Sequence, residues 1–156
     1  MSIDEAVSKI SALAVDKVSN EVMLEGLKKL GISLGFSNEY RYYILICGIF
    51  QDDRNIVKHW KEFEKVFMSL VQQDGKIGIK HLLQAIVLYF VRKNPDYAKY
   101  SQTFMKLLYD QEVFSDEFII KWFNRKMKLD KNCALYDRKA EKAFRNMIEP
   151  FVSWLL

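Results

Sequence analysis

IVKHWKEFEKVFMSLVQQDGKIG, residues 56–78, carries Trp60, Phe63, Phe67 and Leu70 at spacings of three and four, the period of one face of an α-helix. Asp74-Gly75 interrupts the pattern, because Asp-Gly favours a turn. Apolar helical spacing resumes between Ile79 and Val91 at Leu82, Leu83, Ile86, Val87 and Phe90. Asn94-Pro95 ends it, since the residue before a proline avoids the helical region. Two apolar-faced helices joined by a tight turn must bury their faces on each other, so the segment predicts an antiparallel helical hairpin.

The same reading extends in both directions. EVMLEGLKKLGI, residues 21–32, puts Val22, Leu24, Leu27 and Leu30 near one face, with Gly31 as a C-terminal stop. EYRYYILICGIF, residues 39–50, is apolar enough to be buried on most sides. Phe104, Leu107 and Leu108 mark a further helix. Ser115 is an N-cap opening another through about Met127. Ala140, Phe144, Met147, Ile148, Phe151 and Leu155 form the last apolar face. Sustained alternation of apolar and polar residues is absent, so no strand is expected. The predicted fold is all-α: about eight helices stacked as antiparallel hairpins in a single domain spanning residues 1–156.

A chain of 156 residues buries about 70% of its unfolded surface and needs no covalent staple. With 50% hydrophobic and 14% aromatic residues, the composition is that of an ordered globule. No apolar run approaches the roughly 20 residues that span a bilayer, so no membrane association is expected. MSIDEAVSKI, at the start, lacks the apolar core of a secretory signal. Cys47 and Cys133 are too few for a disulfide framework or a thiolate zinc site, and read as small buried hydrophobes of a reducing compartment. His59 and His81 lack ligand spacing and read as ordinary helix histidines. Taking Gly75 as the sixth position of a calcium loop places Leu70 first and His81 twelfth, where carboxylates are needed, so that reading fails. No phosphate loop, nucleophile elbow or marked carboxylate pair is present. Neither cofactor nor catalytic residue is expected. The basic run from Lys121 to Lys128 reads as a solvated helix face rather than an RNA contact.

One local feature departs from the mixed charge pattern. The chain carries a net +4, yet Asp110, Glu112, Asp116 and Glu117 place four acids in eight residues with no base among them. Two explanations stand. Asp116 and Glu117 fall in the first turn after Ser115, where acids gain about 0.3–1 kcal/mol each from the positive helix end. That leaves Asp110 and Glu112, which gain less from the dipole. Alternatively, a junction of four acids with aromatic walls suits a lysine-rich peptide, through steering and cation–π contact. Trp122 and Trp154, taken alone, read as core or half-buried aromatics.

FMKLLYDQEVFSDEFIIKWF, residues 104–123, resembles the first aromatic/acidic box of the C-terminal domain of eukaryotic translation initiation factor 5: an aliphatic helix, Leu-Tyr-Asp, an acidic loop and an Ile-x-x-Trp ending. KAEKAFRNMIEPFVSWLL, residues 139–156, resembles the second box, with Glu-Pro-Phe-x-x-Trp-Leu from Glu149 to Leu155. The resemblance covers about residues 38–156. It implies a HEAT-repeat-like α-α superhelix. It also implies a cytoplasmic, monomeric adaptor of the preinitiation complex that binds lysine-rich segments of the initiation factor 2 β subunit, initiation factor 1 and a subunit of initiation factor 3. Carried over, the partner-binding acids are Asp110, Glu112, Asp116 and Glu117, with Tyr109 and Trp122 beside them. The second box supplies Glu149, Phe151 and Trp154. The resemblance implies that the aromatics hold the hairpins together while the acids face the partner. The factor's GTPase-activating domain lies N-terminal to this region, so no such activity is expected, and the chain reads as a C-terminal fragment or a stand-alone relative. Three other readings compete: a nucleotide-exchange segment like the end of the initiation factor 2B ε subunit, a scaffold related to initiation factor 4G, and an RNA-binding repeat using Lys121, Arg125, Lys126 and Lys128.

Overall fold

A computed structural model describes residues 2–50 and 55–156. Among them eight α-helices and no strand are found: α1 (Ser2–Val15), α2 (Asn20–Leu34), α3 (Arg41–Ile49), α4 (Ile56–Asp74), α5 (Lys76–Leu88), α6 (Ser101–Asp110), α7 (Asp116–Phe123) and α8 (Arg138–Leu155). Short 3-10 turns precede α3 and α6, and a π-helical turn, Tyr89–Lys93, extends α5 to Asn94. The all-α expectation holds.

The hairpin at residues 56–95 forms as its spacing dictates. Trp60, Phe63, Phe67 and Leu70 are buried on α4, and Gly75 alone separates α4 from α5, which packs back on it. The turn is also a tether. Asp74 accepts hydrogen bonds from Arg41 at 2.6 Å and from the Tyr42 hydroxyl at 2.8 Å, clamping the start of α3 to the end of α4.

Elsewhere chain neighbours are not always packing neighbours. α3 has seven of its nine residues buried and lies chiefly against α1 and α5, because a helix apolar all round needs partners on several sides. α6, although joined to α7 by five residues, packs chiefly on α8. α2 runs past Gly31 and stops at Gly35, whose φ of 73° is the left-handed conformation that glycine takes at little cost. Gly31 supplies the carbonyl that the Gly35 N–H closes on. Met23 rather than Val22 joins Leu27 and Leu30 in the core. α7 stops at Phe123, short of Met127, and the following Arg125 has φ 60°.

Buried residues from α1 through α8 form one hydrophobic cluster. A chain of aromatic contacts runs through it. Trp60 stacks on Phe67 at 4.6 Å and meets Phe104 edge-on at 5.6 Å. Phe104 neighbours Phe90 at 6.1 Å, Phe90 neighbours Phe144 at 6.2 Å, and Phe144 neighbours Trp122 at 6.2 Å. Pro150 falls inside α8 on an exposed position and cannot donate to the carbonyl of Asn146, which is exposed as well.

α1 docks on α3 at Gly48. A Cβ there would lie 2.7 Å from Ile10 Cγ2 and 3.1 Å from the Ser11 backbone nitrogen. Gly48→Ala is therefore expected to destabilise the fold by about 1–3 kcal/mol through overpacking, although alanine is the better helix former. Urea denaturation of the variant checks this; unchanged or raised stability would show that α1 can shift freely.

Candidate partner-binding site

The acids stand on a junction whose backbone is pinned at several points. α6 ends where the Gln111 N–H bonds the Leu107 carbonyl, and the Glu112 and Val113 N–H groups fold back onto Tyr109 and Leu108. Glu112 takes φ 61°, a conformation that costs a non-glycine residue about 1–2 kcal/mol. Val113 and Phe114 are buried and hold the connection to the core. The Ser115 hydroxyl accepts from the Phe118 N–H at 3.0 Å and starts α7, as its sequence position predicts. From across the molecule, the Trp60 indole N–H donates to Gln111 Oε1 at 2.8 Å.

On this frame Asp110, Glu112 and Asp116 are exposed and line one groove of about 470 Å³ with Tyr109, Phe114 and Ser115. Glu117 stands outside it, paired with Lys121 at 2.7 Å, which holds its carboxyl below the usual range. A second hollow of about 300 Å³ lies over Lys106, Phe151 and Trp154. Tyr109 borders both regions: its ring lies 6.3 Å from that of Phe151 and 6.2 Å from that of Trp154. Phe151 and Trp154 stack at 6.2 Å.

The two tryptophans have opposite fates. Trp122 is 0% exposed, and its indole N–H donates to the buried Glu141 at 3.0 Å, binding α7 to α8. It therefore leaves the set of side chains that can touch a partner and belongs to those that hold the hairpins together. Trp154 is 61% exposed, against the reading of it as a core or half-buried ring. Phe151 is 5% exposed and supports it from below. Glu149 is exposed on α8 but lines neither hollow. Missing from the sequence-derived set were Gln111, which only the distant Trp60 reveals, and Lys106, whose i,i+4 spacing to Asp110 is a legible signal.

Lys106 lies where the acidic groove meets the aromatic hollow. Its ammonium lies 2.9 Å from Asp110 Oδ2 and 5.2 Å from the centre of the Trp154 ring. A cation is thus held between a carboxylate and an aromatic face. Both partners of the ion pair are half exposed, so the pair contributes at most about 1 kcal/mol and exchanges readily.

Residues far apart in sequence meet elsewhere too. Ligand atoms of Glu39, His81 and Cys133 lie within 4.8 Å of one another. Glu39 accepts from Ser37 and from the Ala134 N–H, and His81 pairs with Asp130 at 3.0 Å. Burial, together with Glu39 beside it, pushes the Cys133 thiol up to about 12, so it stays protonated at neutral pH. These bonds clasp the α7–α8 connection to α5 and to the turn before α3. Both cysteines are buried, as their number suggested. Among the described residues no helix is long and apolar enough to cross a membrane.

A family model described as W2: eIF4-gamma/eIF5/eIF2-epsilon matches residues 79–156, the segment that carries both hollows. Neither curated proteins nor solved structures give a match to the chain.

Proposed function

The chain belongs to the W2 family of translation initiation factor domains, and from that membership we propose that it is a protein–protein adaptor whose α6–α7 junction captures lysine-rich segments of other initiation factors. The observation that carries this reading is Lys106, seated between Asp110 and Trp154 as a lysine of a partner would be. Asp110, Glu112 and Asp116 steer the basic segment, and Tyr109 and Trp154 cover its aliphatic stems. The partners proposed are the initiation factor 2 β subunit, initiation factor 1 and a subunit of initiation factor 3, met in the cytoplasm by a monomeric chain without enzymatic activity.

Titration with a lysine-rich peptide, read by chemical-shift mapping, tests the proposal. Asp110→Lys combined with Glu112→Lys should weaken binding roughly 10-fold or more while the helical content stays unchanged, because both side chains are exposed. The affinity of the parent should fall with salt, since exposed charges are screened within about 8 Å at 0.15 M ionic strength. Equal affinity of the reversed variant and the parent would sink the acidic site. The family description also names an ε subunit, which keeps the exchange reading as a second candidate. Acceleration of GDP release from initiation factor 2 by this chain would favour exchange over adaptor action.

A further inference from the structure

At the other end of α7 the charge reverses. Residues 121–145 hold nine bases and three acids, a net +6, while the whole chain carries only +4. The expectation that Lys121 to Lys128 form a solvated helix face does not hold, because α7 has ended at Phe123. The chain turns there, and Arg125, Lys128 and Lys131 come to face Arg138 and Arg145 of α8 across a hollow of about 230 Å³. A second hollow of about 520 Å³ shares Arg125, Arg138 and Arg145 and adds Lys142.

None of the three acids answers this charge in full. Asp130 is turned to His81, and Asp137 caps α8 and pairs with Arg92 at 3.0 Å. Glu141 is buried against Trp122 and meets only Arg145, at 3.6 Å. Among the described residues Arg125, Lys128, Lys131, Arg138 and Lys142 have no ion pair. Two features make the arrangement unfavourable without an anion. Arg138 and Lys142 stand at the start of an 18-residue helix, whose positive end favours acids. Burial lowers the Arg145 pKa, the neighbouring Glu141 offsets part of that, and nearby Arg125 adds to the lowering. Arg125 also occupies a left-handed backbone position that glycine would fill more easily.

We propose that this cleft binds the phosphate backbone of a nucleic acid strand. Arg138 and Lys142 stand one turn apart (i, i+4) on an exposed face of α8, and Arg145, a turn further on, is mostly buried and held by Glu141 and the Trp122 carbonyl at the back of the cleft. Guanidinium forks and a helix N-terminus are suited to phosphate oxygens. The lining argues against an acidic peptide. Protein hot spots sit in well-packed, fully desolvated pockets, yet this cleft is open, with Arg125, Lys128, Lys131 and Arg138 exposed and only the buried Leu129 and the partly buried Tyr136 as apolar walls. Trp154, the exposed anchor, lies some 24 Å away along α8, 16 residues from Arg138.

Fluorescence anisotropy of the full chain with a labelled 20-nucleotide oligouridylate, between 50 and 200 mM salt, tests the assignment. With three to five phosphates neutralised, log K should fall against log salt with a slope of about −2 to −3.5. Arg138→Glu combined with Lys142→Glu should cut affinity at least about 10-fold. Lys28→Glu combined with Lys65→Glu, an equal change in net charge on exposed positions of α2 and α4, should change it less than about threefold. Retained binding of the lysine-rich peptide by the cleft variant separates this site from the acidic one and shows the variant to be folded. Absence of binding at 50 mM salt, or equal losses in both charge variants, would overturn the proposal. Competition by polyglutamate as effective as by unlabelled RNA would assign the cleft to an acidic protein instead.

Discussion

Trp122→Ala is expected to destabilise the fold by about 3–5 kcal/mol, the usual cost of removing a large buried aromatic. The ring is wholly buried, neighbours Phe144 at 6.2 Å and has the Arg145 guanidinium 4.7 Å above it. Its removal opens a cavity between α7 and α8 and leaves the Glu141 carboxylate buried with Arg145 as its remaining partner. Both proposed binding surfaces adjoin α7, so both should weaken together. Trp154→Ala makes the contrast. That ring is largely exposed, and its loss should cost less than about 1 kcal/mol of stability while weakening the lysine-rich peptide. Urea denaturation of the two variants side by side decides the matter. Similar losses of stability would mean that Trp154 is packed in solution and that the surface read around it is wrong.

Trp60→Ala should cost a comparable amount, about 3–5 kcal/mol, and should also reach the acidic groove. The side chain stacks on Phe67, meets Phe104 edge-on, and is the donor that holds Gln111 in the α6–α7 junction. Trp60→Phe separates the two roles. An aromatic ring remains, but the indole N–H and part of the buried ring volume are lost, at a cost of about 1 kcal/mol for the hydrogen bond, since the exposed Gln111 can turn to water, and about 1–2 kcal/mol more for the space left behind. Peptide affinity of the phenylalanine variant, measured where it is fully folded, should still fall by a few-fold as Glu112 loses its fixed neighbour. An unchanged affinity would show that the backbone bonds from Gln111, Glu112 and Val113 hold the groove unaided.

Features that depend on neighbours in the chain could be read directly. The Asp74-Gly75 turn, the stop at Asn94-Pro95, the Ser115 cap and the apolar spacing of α4, α5 and α8 follow from local sterics and hydrogen bonding, and each is found where expected. The two boxes were recognisable for the same reason, since each is a contiguous run. Errors arose where a local signal had an equally local rival. Gly31 reads as the stop of α2, but the chain stops at Gly35, whose N–H closes the last turn on the Gly31 carbonyl.

What the sequence alone determined is the all-α class, the helices from α2 to α8 and the place of the acidic junction, because periodicity, caps and charge runs act over a few residues; α1 was not among the segments it marked. Only the tertiary structure decided which tryptophan is buried, which helix α3 and α6 pack against, and that Trp60 reaches Gln111. It also turned a run of basic residues into a cleft, by ending α7 at Phe123 and bringing the connection back against α8. The physical reason is that burial and charge crowding are set by distances in space, and residues 51 positions apart, such as Trp60 and Gln111, leave no local trace of their contact.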